Sequence, residues 1–361
     1  MTWQPRTLHQ TLAAAVAARG DAEALVTQTA RLGFRALAAE VELLARAMLA
    51  AGLRRGDHVA ILMGNGEQWI GLFFAAASIG AVTVPVNTRF KPAEIAYALK
   101  QADVKALFHA DRFLGIDFTA FLREAEPAVD AALPGQALPK LKLVVTLGEA
   151  KPAAAMAWSA FRALAAKTVD ADFARVAAAV QPSDPLLIQF TSGTTAFPKG
   201  VLLTHANMLR NAWSAGARVG IRAEDRYCNC RPFFHVGGST LSLLMSLNYG
   251  GIMNRDDLFD FLAVIADVVD GRNGRDIGRG RRVSELAREV AIACDMTERR
   301  ADLVKAAALL QDIGALGVPA HFLSKPDILS IDEMAAVQLH PTYARDILSE
   351  IPGLGAAAWW V

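Results

Sequence analysis

Residues Trp69–Val86, WIGLFFAAASIGAVTVPV, carry no charge and are long enough on length alone to cross a bilayer. Gly80 and Pro85 argue against a span, because they divide the run into a short helix and a β-branched strand. A helix and a strand that are both wholly apolar must both be buried, and that requires cover on two faces. The stretch therefore predicts the interior of an α/β sheet rather than a membrane segment.

The flanking sequence keeps the same rhythm. ALAAEVELLARAMLAAGL reads as a helix closed by Gly52, and DHVAILM as a strand. PAEIAYALKQA reads as a helix opened by Pro92, and KALFHA and LKLVVTL as strands. Such βα alternation predicts an α/β amino-terminal region with a mostly parallel sheet. The Ala-rich stretch from Glu149 to Val180 reads as helical, with a break near residues 169–171. Past about residue 260 the pattern changes to helix upon helix. The expected division is 1–250 for the α/β part, 251–270 for a junction and 271–361 for an all-α region. If the two parts form one evolved unit, Phe259, Phe261 and Leu262 should be buried between them.

Composition narrows the function. A net charge of +1 gives no general attraction to nucleic acid or anionic membranes, and 53% hydrophobic against 20% charged residues predicts a folded chain. Three cysteines make no disulfide framework, and Cys228 and Cys230 are too close for a zinc knuckle. The first residues lack a signal peptide's apolar centre, so the expected location is cytoplasmic. The five arginines in GRNGRDIGRGRR are expected to form a solvated, flexible junction.

Phe190–Val201, FTSGTTAFPKGV, is the strongest chemical signal. Thr191, Ser192, Thr194 and Thr195 supply hydroxyls, Gly193 and Gly200 permit a close backbone approach, and Lys199 supplies charge. The pattern suits phosphate oxygens without being a Walker loop, since the lysine precedes a glycine. A Ser/Thr-rich turn is the alternative that the residues alone leave open.

The loop resembles the phosphate loop of the adenylate-forming superfamily, which includes acyl-CoA synthetases, luciferases and peptide-synthetase adenylation domains. The likeness runs over roughly residues 8–250, and RPFFHVGGSTLSLLMSL at Arg231–Leu247 resembles the family's next motif. In that family a carboxylate attacks the α-phosphate of ATP, giving an acyl-adenylate and pyrophosphate, and coenzyme A then takes the acyl group. The resemblance implies ATP with Mg2+ and coenzyme A, and a nucleotide and a carboxylic acid as ligands. It assigns Thr191, Ser192, Gly193, Thr194, Thr195 and Lys199 to the β- and γ-phosphates. His235 would lie near the substrate carboxylate, with Phe234 and Gly237 shaping the acyl pocket. Ala196 stands where the family usually has glycine. After Gly251 the sequence has no aromatic-Gly-x-Thr-Glu segment, no Thr-Gly-Asp, and no hinge with a catalytic lysine. The adenylation domain is accordingly expected to be partial, with exposed sheet edges that favour homo-oligomers.

The later segment, LLQDIGALGVPAHFLSKPDILSIDEMAAVQLHPTYARDILSEIPGL, is similar to the core of an HD-GYP domain, a family that hydrolyses cyclic di-GMP at a metal centre. The likeness covers about Phe261–Leu354 and implies an HD-like helical fold. Gln311 replaces the histidine of the His-Asp pair, Arg279 replaces an upstream histidine ligand, and Ala315 replaces a lysine. Asp312 and His340 remain as remnants of the site, too few for a hydrolytic centre, so no metal is expected there. Arg279 is expected to pair with Asp312 instead. Three readings follow: an acyl-CoA synthetase relative with weak binding and little ligation, a regulatory scaffold, or two joined gene fragments.

Overall fold

The computed structural model describes residues 3–27, 29–191, 198–254, 258–272, 277–349 and 357–359. The chain divides into two compact units, Met1–Asp256 and Asp257–Val361. Among the described residues no helix is long and apolar enough to cross a membrane. Ser192, Gly193, Thr194 and Thr195, with Ala196, lie outside the described residues, as do the side chains of Phe259 and Phe261.

In the first unit, Trp69–Val86 resolves as the sequence predicts. Helix Glu67–Ser78 is buried from Trp69 onward, and strand Val82–Pro85 is buried throughout. The strand sits inside a seven-stranded sheet. From one edge the order is Lys199–Thr204, Pro185–Thr191, Val82–Pro85, His58–Leu62, Ala106–Ala110, Leu143–Leu147 and Met156–Ala157. All neighbours are parallel except the hairpin that joins the first two strands.

Side chains alternate across this sheet, and both faces are covered. Val59, Ile61 and Phe108 pack with Leu44, Met48, Trp69 and Phe73 on one side. Ala60, Leu62 and Leu107 pack with Ile95, Leu99, Phe118 and Leu122 on the other. Four short strands form a second sheet in the order Arg226–Cys228, Ile252–Asn254, Glu23–Val26 and Arg31–Gly33.

The Ala-rich stretch is a partial correction. Helices occupy Trp158–Ala163 and Asp170–Ala179, but residues before Trp158 are not helical. Pro152 disfavours a helical residue before it, and Met156–Ala157 pair with Val145–Thr146 at the sheet edge. The break at Thr168 is pinned to helix Phe34–Ala50, since Arg46 Nε donates to Thr168 O and Thr168 Oγ1 donates to Arg46 O, both at 2.9 Å.

The second unit is helical. Its main helices are Leu258–Arg272, Arg279–Ala293, Glu298–Leu310, Ile331–Gln338 and His340–Ser349. Its core contains Leu262, Ala266, Ala306, Leu310, Ile313, Ala344 and Leu348, so Leu262 packs within this unit. A Cβ on Gly314 would lie 1.7 Å from His340 O, so only glycine lets the Ile313–Gly317 turn approach the last helix so closely.

Of the arginines expected to be solvated, Arg272, Arg279 and Arg282 are exposed and Arg281 is partly buried, and several also have defined partners within the unit. Arg272 donates to Ala315 O and Val318 O at 3.2 and 3.3 Å, and Arg281 pairs with Asp267 at 2.8 Å. These guanidiniums satisfy carbonyls and carboxylates that the packing would otherwise leave short of donors.

Candidate functional site

The chain leaves strand His58–Leu62 for one neighbour, Val82–Pro85, and then crosses to the other, Ala106–Ala110. Such a change of direction opens a crevice at the carboxyl ends of the strands, where ligands of open α/β sheets bind. Strand Pro185–Thr191 runs parallel to Val82–Pro85, so its last residue, Thr191, lies at this same end. Thr191 and Lys199 close the hairpin as its last paired residues. Both are exposed, and Thr191 Oγ1 donates to Lys199 O at 3.4 Å. Tyr97 Oη donates to Pro198 O at 3.2 Å and fixes the returning end.

A pocket of about 680 Å3 lies beside this hairpin. Thr191 and Pro198 line it together with Asn87, Gln189, Phe234 and His235. The sequence thus placed two separate motifs, and the fold brings them to one cavity. Gly237 is buried behind the wall, where its N–H supports His235.

The wall carrying Phe234 and His235 is held from below. Phe233 is buried, with its ring 5.2 Å from that of Trp69. Asn65, just past the end of strand His58–Leu62, donates to Arg231 O at 2.8 Å and accepts from Phe233 N–H at 2.7 Å. Gln189 Nε2 donates to Phe234 O at 3.1 Å. Asn65, Tyr97 and Gln189 were not singled out from sequence. A glutamine within the apolar run LLIQF was the available signal for Gln189, because a buried amide needs partners.

His235 is the N-cap of Val236–Gly238, and its Nδ1 accepts from Gly237 N–H at 3.0 Å. With Nδ1 occupied as an acceptor, the neutral ring carries its proton on Nε2. That atom can donate to an anion such as a carboxylate. The chain next turns through a π-helical segment, Ser239–Leu244, a form that often marks functional sites.

The described lining residues do not by themselves make a Mg2+ site. Among the described lining residues the carboxylate is Glu94, and its Oε2 accepts from Lys91 N–H at 2.8 Å as a helix cap. Mg2+ asks for near-octahedral oxygen ligation, commonly with one or two carboxylates free to serve it.

In the helical unit Asp312 Oδ2 accepts from Arg279 at 2.9 Å, as the sequence led us to expect. His340 Nδ1 donates to Val337 O at 2.9 Å. Among the described residues no group of three or more His, Cys, Asp or Glu side chains is placed to hold a metal ion.

Comparison with known proteins agrees with this architecture. Residues 12–270 match the family described as AMP-binding enzyme, and residues 263–359 match the HD domain family. A putative acyl-CoA synthetase, YngI, of Bacillus subtilis is 34% identical over 228 residues, covering 62% of this chain and 42% of that protein. A CoA ligase of Mycobacterium tuberculosis, named for a methyl-dioxo-octahydro-indenyl propanoyl group, is 36% identical, covering 66% of this chain and 45% of that protein. The chain thus spans less than half the length of these curated relatives. The anthranilate CoA ligase AuaEII, solved with anthranoyl-AMP, superimposes with a TM-score of 0.60 at 22% identity, over 74% of this chain and 48% of that one. A putative long-chain-fatty-acid CoA ligase of Rhodopseudomonas palustris gives 0.58 at 24% identity, over 75% and 62%. At these identities the structural likeness concerns the fold.

Proposed function

The chain belongs to the AMP-binding enzyme family, and we propose that its first unit is an acyl-CoA synthetase-like body that binds ATP and a carboxylic acid weakly and performs little ligation. The observation that carries this reading is the shared pocket: Thr191 and Pro198, which flank residues 192–197, border it, as do Phe234 and His235, and Lys199 directly follows Pro198. In this reading Lys199 and the loop hydroxyls and amides, including Ser192, Gly193, Thr194 and Thr195, hold the β- and γ-phosphates. The acyl group lies against Phe234, with Gly237 shaping the wall behind it. His235 Nε2–H donates to the carboxylate and aims it at the α-phosphate. Attack there forms a bond between a carboxylate oxygen and the α-phosphorus and breaks the bond from that phosphorus to the bridging oxygen, which leaves on pyrophosphate, a reaction governed by positioning and charge neutralisation.

Ligation is weak in this reading because the segment after strand Ile252–Asn254 carries a helical HD-type unit where the relatives continue their adenylation machinery. We read that unit as a degenerate HD-GYP-like module. The Arg279–Asp312 pair favours it as a scaffold over a hydrolase. Each lost charge-stabilising group costs about 10²–10³ in rate. With ATP, coenzyme A and a panel of aliphatic and aromatic acids, pyrophosphate release should therefore fall at least about 10³-fold below that of a full-length relative. Repeated turnover to acyl-CoA, lost in Lys199→Ala, would refute the proposal.

A further inference from the structure

The HD family takes its name from a His-Asp pair that ligates metal, and the corresponding residues here do not fit one. Gln311 stands in the histidine position, and its Nε2 is buried without a hydrogen-bond partner. A carboxamide is a weak substitute for an imidazole toward a transition metal. Asp312, which would be the carboxylate ligand, already accepts from Arg279. Asp312 is the more enclosed partner, with a side-chain exposure of 16%, and Arg279 is exposed at 44%.

Arg279 has a defined structural place. It opens helix Arg279–Ala293 directly after Gly278, whose φ of +88° sets the chain's entry. Its guanidinium reaches past the end of helix Glu298–Leu310 to Asp312. Further along, Arg281 pairs with Asp267 on the preceding helix, and Arg288 pairs with Asp302 on the following one. Three arginines of this helix thus pair with carboxylates on the preceding helix, on the following helix and just past its end, and Glu285 pairs in the opposite sense with Lys305. A metal ion would cross-link these helices by bringing positive charge to Asp312, and here a side chain brings it.

We propose that Arg279 takes over the structural part of the metal's task, so that the helical unit keeps its HD-type packing with no metal bound. The test is hydrogen exchange of residues 279–310 in the full chain, after EDTA treatment and again with excess Mn2+. Exchange should agree within about twofold between the two conditions. Arg279→Ala should speed it about tenfold, and Arg279→Lys should recover part of that loss. Adding Asp312→Asn to Arg279→Ala should change little more, since the two residues act as a pair. Protection that EDTA removes or Mn2+ strengthens in the natural chain would overturn the proposal, as would unchanged exchange in Arg279→Ala. Should Arg279→Ala fail to fold, Asp312→Asn alone decides: faster exchange supports the pair, and unchanged exchange overturns it.

Discussion

Gly238→Ala is expected to destabilise the first unit by about 2–3 kcal/mol, through overpacking against backbone, and to disrupt the pocket wall with it. An added Cβ would lie 2.2 Å from Pro232 O and 2.9 Å from Arg231 O, so no side-chain rotation can relieve the contact. The turn would open where His235 N–H donates to Pro232 O at 3.1 Å and Gly238 N–H to His235 O at 2.9 Å. Opening it moves Phe234 and His235 away from Thr191 and Pro198. Gly237→Ala is the internal comparison, since its Cβ would meet side-chain atoms of Arg231 and His235 at 3.2 Å. Those atoms can give way, so its cost should be less than half as large. Urea unfolding of both variants checks the prediction, and equal midpoints would contradict it.

Acidification should weaken the first unit between pH 6.5 and about 4. Burial is the leading cause that lowers the pKa of His109 to about 4, and likewise that of His205. The hydrogen bonds agree with neutral rings. His109 Nδ1 donates to Ala110 O at 2.8 Å, which leaves Nε2 to accept from Thr146 Oγ1 at 2.9 Å. His205 Nδ1 accepts from Leu8 N–H at 3.0 Å and ties the first helix to the Thr204–His205 corner.

In the unfolded chain both rings protonate near pH 6.5, whereas the folded unit refuses the proton until about pH 4. Stability is therefore full above pH 6.5, falls as the pH drops through this window, and levels off below it. Each histidine contributes about 3 kcal/mol to the loss, a large share of the roughly 5–15 kcal/mol that typically holds a domain together. Carboxylates with lowered pKa, such as Glu67, lose their contribution only below about pH 4.5, so their window lies mostly beneath this one. Denaturant unfolding at pH 7, 6, 5 and 4 should show a slope of about two protons, to which His9, also lowered by burial, adds, and a flat profile would contradict the account.

The sheet was legible in the sequence because its strands are buried on both faces and its connecting helices are amphipathic. DHVAILM and WIGLFFAAASIGAVTVPV admit few other structures. The second sheet was not legible, since Glu23–Val26 pairs with Ile252–Asn254 across more than two hundred residues and neither strand is long enough to announce itself. Residues that position the pocket wall were hidden for a related reason. Asn65 acts through the backbone of Arg231 and Phe233, a contact that only the folded chain creates. The arginines after residue 270 suggested a solvated linker because charge runs usually are one. The carboxylates that receive them, Asp267 and Asp312, lie on other segments of the helical unit.

Calorimetric titration of ATP into the purified full chain, with Lys199→Ala alongside, tests the central claim most directly. Weak, saturable binding that Lys199→Ala lowers about tenfold or more, as loss of a charge-assisted phosphate contact should, is the predicted result. No binding by a folded, monodisperse sample, or equal affinity in the variant, would contradict the assignment of the Thr191–Lys199 loop to phosphate.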